Sequence, residues 1–335
     1  MGSVTSRNDA SAAGIADAPV WVLHDGKVGL RNQVIGVAEA VGLPFTEKRL
    51  EIRWPWRALP PSLWYAALNA PGGAGDRLLP PWPRLVIAAG GRAAAPALAI
   101  RRAAGACLAV QIQDPKLSAR RFDLMIVPEH DRLRGPNVLL SRGAVHRVTA
   151  AKLDEARIRW APRFAHLPRP LVAVLIGGGN GSYGLAPERM AAITADLARL
   201  AQRDGAGLLI TPSRRTGPEA ERILRTGLAG LPAEIWDGAG ENPYFGYLAL
   251  ADAILATEDS VSMISEAAAT GKPVHVIRLD GGSAKFRRFH AAMYAAGITR
   301  DFTGQLSEWE YAVRDDTAIA AAAIRARMEE CRLWP

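Results

Sequence analysis

Three serines and a glutamate stand close together in the segment 257–274: Ser260, Ser262, Ser265 and Glu266 follow Asp259 and precede Gly271-Lys272-Pro273. An apolar run ends just before them, and the hydroxyl residues open a helical pattern that the Gly-Lys-Pro triplet stops. Backbone amides at the start of such a helix lack intrahelical acceptors and can bind phosphate. Glu266 lies one to two turns in, beyond the first turn where a carboxylate simply suits the helix dipole. Beside a phosphate site it makes sense if it serves ribose hydroxyls; the alternative is a surface glutamate next to a capped helix.

Three further segments carry reactive residue types directly after apolar, strand-like runs. Gly177-Gly178-Gly179-Asn180-Gly181-Ser182-Tyr183-Gly184 contains a G-x-G-x-x-G spacing at 179–184. The following strand-like run ends in Thr211-Pro212-Ser213 and lacks the acid that a dinucleotide fingerprint needs. The reading is therefore a glycine loop facing phosphate or an acceptor, through Gly178 and Asn180. Ser213, Arg214 and Arg215 offer hydroxyl and guanidinium donors that suit a diphosphate, or else form a solvated basic turn. His24-Asp25-Gly26-Lys27-Val28-Gly29 offers proton-transfer groups where glycines let the backbone approach a ligand, or else a polar turn that caps a helix.

The elements that would position these groups alternate along the chain. Strand patterns fall at 19–23, 45–52, 84–90, 107–113, 123–128 and 137–141, then at 171–177, 207–213, 233–238, 253–257 and 274–279. Helical patterns lie between them, at 30–41, 92–104, 187–202, 218–226, 261–270 and 284–296. This predicts an α/β protein with two doubly wound, Rossmann-like domains facing a cleft. The expected division is a disordered leader over 1–18, an N-terminal Rossmann-like domain over 19–165 and a C-terminal one over 166–306. A helix within 307–335 would cross back to the first domain. The Pro- and Arg-rich stretch 161–170 is the expected link. In such sheets ligands sit beyond the carboxyl ends of the strands, where all four segments fall.

The chain has 335 residues, a formal net charge of +8 and 49% apolar residues. That length favours two cores, and the charge favours anionic partners. No basic tract or nucleic-acid motif appears, so nucleic acid is not expected as a partner. The apolar runs are too short and interrupted for a membrane span, and the polar N-terminus lacks a secretory pattern. The expected location is cytoplasmic, with peripheral contact on the inner face of a membrane. Arg53-Trp54-Pro55-Trp56-Arg57 with Leu63-Trp64-Tyr65 suits a lipid–water interface, or alternatively a tryptophan-rich core under a loop. Cys107 reads as a core thiol. The six histidines form no metal-type cluster, so no metal is expected.

The arrangement Ser-x-x-Glu-Ala-x-x-x-Gly-x-Pro-Val at 262–274 resembles the nucleotide-sugar signature of GT-B glycosyltransferases. By that resemblance Glu266 binds the ribose, and Ser262 and Ser265 with nearby amides hold the diphosphate. More narrowly, the chain resembles the "elongated mitochondria" fission-protein family of bacteria and plants. The resemblance rests on Asp25-Gly26-Lys27 with 29–33, on Gln111-Ile112-Gln113-Asp114-Pro115, on 176–181, on 211–216, and on Asn242-Pro243-Tyr244 through Val274. Lys116 departs from it, standing where an arginine is expected after Asp-Pro.

The resemblance implies a metal-independent glycosyltransferase with no cofactor and a nucleotide sugar as co-substrate. The donor residues would be Gly178, Asn180, Ser213, Arg214, Arg215, Asp259, Ser260, Ser262, Ser265 and Glu266. Lys27, Asn32, Gln33, Gln113 and Asp114 would line the acceptor side. The acceptor would be a lipid-linked or lipopolysaccharide-type glycan of the cell envelope. Asp25 is the first choice of base, then His24, then Asp114. Plant members of the family suggest a second class of function, a non-catalytic scaffold that recruits membrane-fission partners. A third, an NAD-dependent epimerase or dehydrogenase, is disfavoured because Tyr244 and Tyr247 have no lysine four residues on.

Overall fold

The computed structural model describes residues 19–334; the expected leader, 1–18, lies outside the described residues. The chain divides into two compact units. The first comprises the described residues through Ser141, Val145–Arg147 and the chain from Asp315 onwards; the second comprises Arg142–Ala144 and Val148–Arg314.

The first unit is built from β1 (Val20–His24), α1 (Val28–Val41), β2 (Phe45–Arg49), β3 (Leu85–Ala89), α2 (Gly91–Ala104), β4 (Leu108–Ile112), β5 (Leu124–Pro128) and β6 (Val138–Ser141). All six strands are parallel, in the order β2-β1-β3-β4-β5-β6. The inner strands β1, β3 and β4 are buried along their whole length, as expected where helices cover both faces of a sheet. Between β2 and β3 the chain makes three short 3-10 turns, Trp56–Ala58, Pro61–Leu63 and Ala67–Asn69. Here the tryptophans divide. Trp56 is buried and donates from Nε1 to the Tyr65 carbonyl at 2.7 Å, while Trp54 is 79% exposed.

The second unit begins with α3 (Ala150–Phe164), followed by β7 (Leu171–Ile176), β8 (Tyr183–Gly184), α4 (Pro187–Arg203), β9 (Gly207–Pro212), α5 (Pro218–Gly227), β10 (Ala233–Ile235), α6 (Tyr244–Leu250), β11 (Ala253–Thr257), α7 (Val261–Ala268), β12 (Val274–Ile277), β13 (Asp280–Gly281), α8 (Ala284–Ala295) and β14 (Thr299–Asp301). Its six-stranded sheet runs β10-β9-β7-β11-β12-β14, all parallel, and β8 and β13 form a separate antiparallel pair. The last helix, α9 (Asp316–Glu330), belongs to the first unit, where Ala320, Ala321, Ile324 and Met328 pack with Val34, Val37 and Val41 of α1.

The division falls between Ser141 and Val148, upstream of the stretch 161–170 that the prolines suggest as a link. Helix α3 runs through Pro162, which lies in its last turn. Its buried stripe of Leu153, Ala156, Trp160 and Phe164 has helical spacing and packs in one core with Tyr247. A Cβ at Gly246 would come within 2.5 Å of the Trp160 ring, so α3 and α6 approach as closely as a glycine allows.

His275 on β12 is enclosed by Trp309, with ring centroids 5.0 Å apart, and by Phe302. Burial pushes its imidazole down to about 4 from an ordinary 6.5. The folded state therefore stays neutral where the unfolded chain takes up a proton. Stability is unaffected above the unfolded value and is lost as pH falls from about 6.5 towards 4. The loss should reach about 3 kcal/mol from this residue. Urea titrations at pH 7 and pH 4.5 check it, and His275→Gln should flatten the difference.

Candidate functional site

The second sheet has the order in which the chain builds β7, β9 and β10 outwards, then returns to lay β11, β12 and β14 on the other side of β7. The strand order reverses between β7 and β11. Two loops leaving the carboxyl ends of neighbouring strands there part in opposite directions, and ligands bind in the crevice so formed. The loop after β7 is Gly177-Gly178-Gly179-Asn180, the loop after β11 is Glu258-Asp259-Ser260, and the loop after β9 adds Ser213-Arg214-Arg215-Thr216.

Asp259 knits these loops together. Its side chain is buried and accepts from the Gly178 N–H at 3.1 Å, from the Thr257 hydroxyl at 2.6 Å and from Arg215 Nη1 at 2.7 Å. Arg215 also donates to the Gly178 carbonyl at 3.1 Å. Ser213 Oγ and Thr216 Oγ1 both donate to the Gly177 carbonyl, at 2.9 and 2.5 Å, and the Gly177 N–H donates to Thr257 Oγ1 at 2.7 Å. Asn180 closes the next turn, accepting from the Ser182 and Tyr183 N–H groups and donating to the Asp259 carbonyl. Gly178, Asn180, Ser213, Arg215 and Asp259 thus come together, but their polar groups largely satisfy one another. Arg214 is different: it is exposed and makes no hydrogen bond or ion pair among the described residues.

The acids of the site are neutralised in the same way. Glu258, also buried, accepts from Arg278 Nη1 at 3.0 Å and from the Leu279 N–H, and Arg278 reaches Asp301 as well. With Asp259 held by Arg215, what stays uncompensated is the charge of Arg214 in the loop after β9 and the positive end of α7.

On α7, Ser260 caps the helix by accepting from the Met263 N–H at 3.3 Å, while Ser262 in the first turn is half-buried and forms no bond with another described residue. Ser265 faces inward: its hydroxyl donates to the Val261 carbonyl at 2.7 Å and accepts from the Ala144 N–H at 2.9 Å. That hydroxyl holds the segment before α3 in place. Glu266 accepts the phenol proton of Tyr244 at 2.5 Å. Burial, and then the adjacent carboxylate, push the Tyr244 phenol well above its ordinary value, so it stays a donor. One oxygen of Glu266 is thereby oriented. Reasoning from residue types did not pair Tyr244 with Glu266; its signal was Asn242-Pro243-Tyr244, where Asn242 Oδ1 accepts the Tyr244 N–H and fixes the turn.

In the first unit the order reverses between β1 and β3. Asp25, after β1, has a nearly buried carboxylate 3.2 Å from Lys27 Nζ. His24 is fully buried, with Nδ1 accepting from the Gly26 N–H at 3.0 Å and Nε2 2.9 Å from Glu47 Oε1. Arg31 grips the same carboxylate with two bonds and holds its pKa low. Both ring nitrogens of His24 are engaged, and the Asp25 carboxylate also accepts from the Lys27 N–H. Gln33 on α1 meets Gln113 at 3.0 Å, and Asp114 pairs with Lys116 at 2.5 Å. Asn32 lies on α1 beside Gln33. Among the described residues no group of three or more His, Cys, Asp or Glu side chains is placed to hold a metal ion, and no helix is long and apolar enough to cross a membrane.

A solved structure of UDP-GlcNAc 2-epimerase from Methanocaldococcus jannaschii, in complex with UDP-GlcNAc and UDP, aligns with a TM-score of 0.53 at 11% identity, over 92% of this chain and 99% of that one. At such identity the likeness is one of fold: two Rossmann-like α/β domains of GT-B type. Mitochondrial fission protein ELM1 of Arabidopsis thaliana is 36% identical over 274 residues, which are 73% of this chain and 64% of that protein. The chain thus spans less than two thirds of that relative's length. A Rickettsia prowazekii (strain Madrid E) protein, Uncharacterized protein RP120, is 25% identical over 91% of this chain and 97% of its own. The family model described as Mitochondrial fission ELM1 matches residues 28–328, and the chain belongs to that family.

Proposed function

We propose that this chain is a glycosyltransferase that moves a sugar from a nucleotide-sugar donor to a lipid-linked or lipopolysaccharide-type envelope acceptor. The observation that carries the reading is Arg214, an exposed, unpartnered cation in the loop after β9, a loop tied through Arg215 and Asp259 to the one that opens α7. The leaving diphosphate would take its hydrogen bonds from the α7 amides, the Ser262 hydroxyl and Arg214. Glu266, oriented by Tyr244, would accept from the ribose hydroxyls. In an inverting transfer the acceptor oxygen attacks the anomeric carbon as its proton passes to Asp25, and the bond from that carbon to the diphosphate breaks. The nucleoside diphosphate leaves with the bonding pair. Exposed Trp54, Leu63 and Tyr65, close in sequence to Arg53 and Arg57, support contact of the first unit with a lipid surface.

The test is thermal stabilisation by a panel of nucleoside diphosphates and sugar nucleotides. A true ligand at ~100 times its dissociation constant should stabilise the wild type by about 2.7 kcal/mol. Arg214→Gln and Glu266→Ala should each weaken that ligand roughly tenfold, about 1.4 kcal/mol. A second reading, a scaffold that recruits membrane-fission partners, is favoured by the family match and the Arabidopsis relative. It takes the lead if no member of the panel stabilises the wild type, and it requires partner binding that survives Asp25→Asn and Glu266→Ala.

A further inference from the structure

The first unit has its own strand-order reversal, and the helix that starts there is built unusually. Gly90 is the N-cap of α2, at φ 79°, with no side chain to cap the helix. That backbone conformation, at ψ 167°, is one that residues with a Cβ rarely adopt, and it keeps the position a glycine. The first turn of α2 contains no acid. It carries Arg92 instead, a cation at the positive end of a helix, where the dipole disfavours it. Arg92 is exposed and makes no hydrogen bond or ion pair among the described residues.

A second observation points the same way. Gln111 on β4 is fully buried. Its Nε2 donates to the Gly90 carbonyl at 3.3 Å and to the Ile112 carbonyl at 2.8 Å, and its Oε1 has no partner. Ala109, two residues earlier on the strand, packs with Ala93, Ala94 and Ala97 of α2. Alternation along β4 puts Gln111 on that same face, against the turn that opens α2. A buried acceptor without a donor calls for an explanation. The neighbouring loop adds backbone strain: Gln113 and Lys116 hold φ of 67° and 61°, values costly for residues with a Cβ.

We infer that the opening turn of α2 binds a phosphoryl or diphosphoryl group, and that this group belongs to the acceptor. The Gly91 and Arg92 amides and the Arg92 guanidinium take the anionic oxygens. Gln111 Oε1 accepts from a ligand hydroxyl, directly or through one water. Calling the ligand the acceptor rests on the transferase reading, whereas the phosphate site itself does not.

The experiment measures binding of the full chain to inorganic pyrophosphate, to a hexose 1-phosphate, and to neutral phosphatidylcholine vesicles with or without a polyprenyl phosphate. Wild type, Arg92→Gln, Arg214→Gln and the double variant are compared. Arg92→Gln should remove one class of pyrophosphate site, weakening it at least tenfold, and should leave stabilisation by nucleotides unchanged. Arg214→Gln should do the reverse, and the double variant should lose both. Binding to polyprenyl phosphate vesicles that Arg92→Gln abolishes identifies a lipid-linked source. Hexose 1-phosphate binding with the same sensitivity identifies a soluble one. If Arg92→Gln matches wild type with every probe, or wild type binds none, the phosphate site does not exist. If only the nucleotide effects of Arg214 fail, the donor reading falls and this site stands.

Discussion

Arg215→Met is expected to destabilise the second unit by about 3 kcal/mol, whereas Arg214→Met should change its stability by no more than about 0.5 kcal/mol. The two arginines are neighbours with the same chemistry, and the difference lies in what each one faces. Arg215 holds the carboxylate of Asp259, whose side chain has no solvent exposure, at 2.7 Å. Removing the guanidinium leaves a buried anion with only the Gly178 N–H and the Thr257 hydroxyl to compensate it. Those two bonds, and the partial exposure of Arg215 itself, keep the expected loss at the lower end of what a broken buried pair costs. Arg215→Met combined with Asp259→Asn should recover part of the loss, because the uncompensated charge is gone. Urea unfolding followed by a probe in the second unit measures all three. Equal effects of Arg214→Met and Arg215→Met would contradict this account of the site.

Gly178→Ala should be worse still, at more than about 4 kcal/mol, and Gly181→Ala close to neutral. A Cβ at Gly178 would stand 2.0 Å from the Arg215 carbonyl oxygen and 2.6 Å from the Thr216 nitrogen. Both are backbone atoms in a loop pinned by Ser213 and Thr216, so neither can swing aside as a side chain could. Nothing lies within 4 Å of a Cβ at Gly181. The measurement is soluble yield and unfolding midpoint of the two alanine variants side by side. A Gly178→Ala protein of wild-type stability would mean that the loops after β7 and β9 are not packed as described.

Much of the architecture was legible because its signals are local. A strand buried on both faces must be apolar throughout, and Leu171–Ile176 and Ala253–Thr257 read so directly. Residues that open helices must satisfy amides, and Ser260 does so. Proline was a poor guide to the division of the chain. Pro162 falls inside α3, and what assigns that helix to the second unit is its contact with α6, residues some 80 positions away.

The candidate site divides along the same line. Sequence alone determined which loops follow the carboxyl ends of the strands, because in a doubly wound sheet those ends lie on one side whatever the side chains are. It also determined the residue types there, from Asp25 through Glu266. Only the tertiary structure decided which of these groups remain free. Gly178, Ser213, Arg215, Asp259 and Ser265 are spent on one another or on neighbouring backbone, His24 is spent on Gly26 and Glu47, and Arg214 and Ser262 are not. The physical reason is that a side chain's chemistry is set by its hydrogen-bond partners. Apart from Gly26, those partners are brought within about 3.1 Å by folding from positions 23 to 121 residues apart, a separation at which residue type and spacing carry no information.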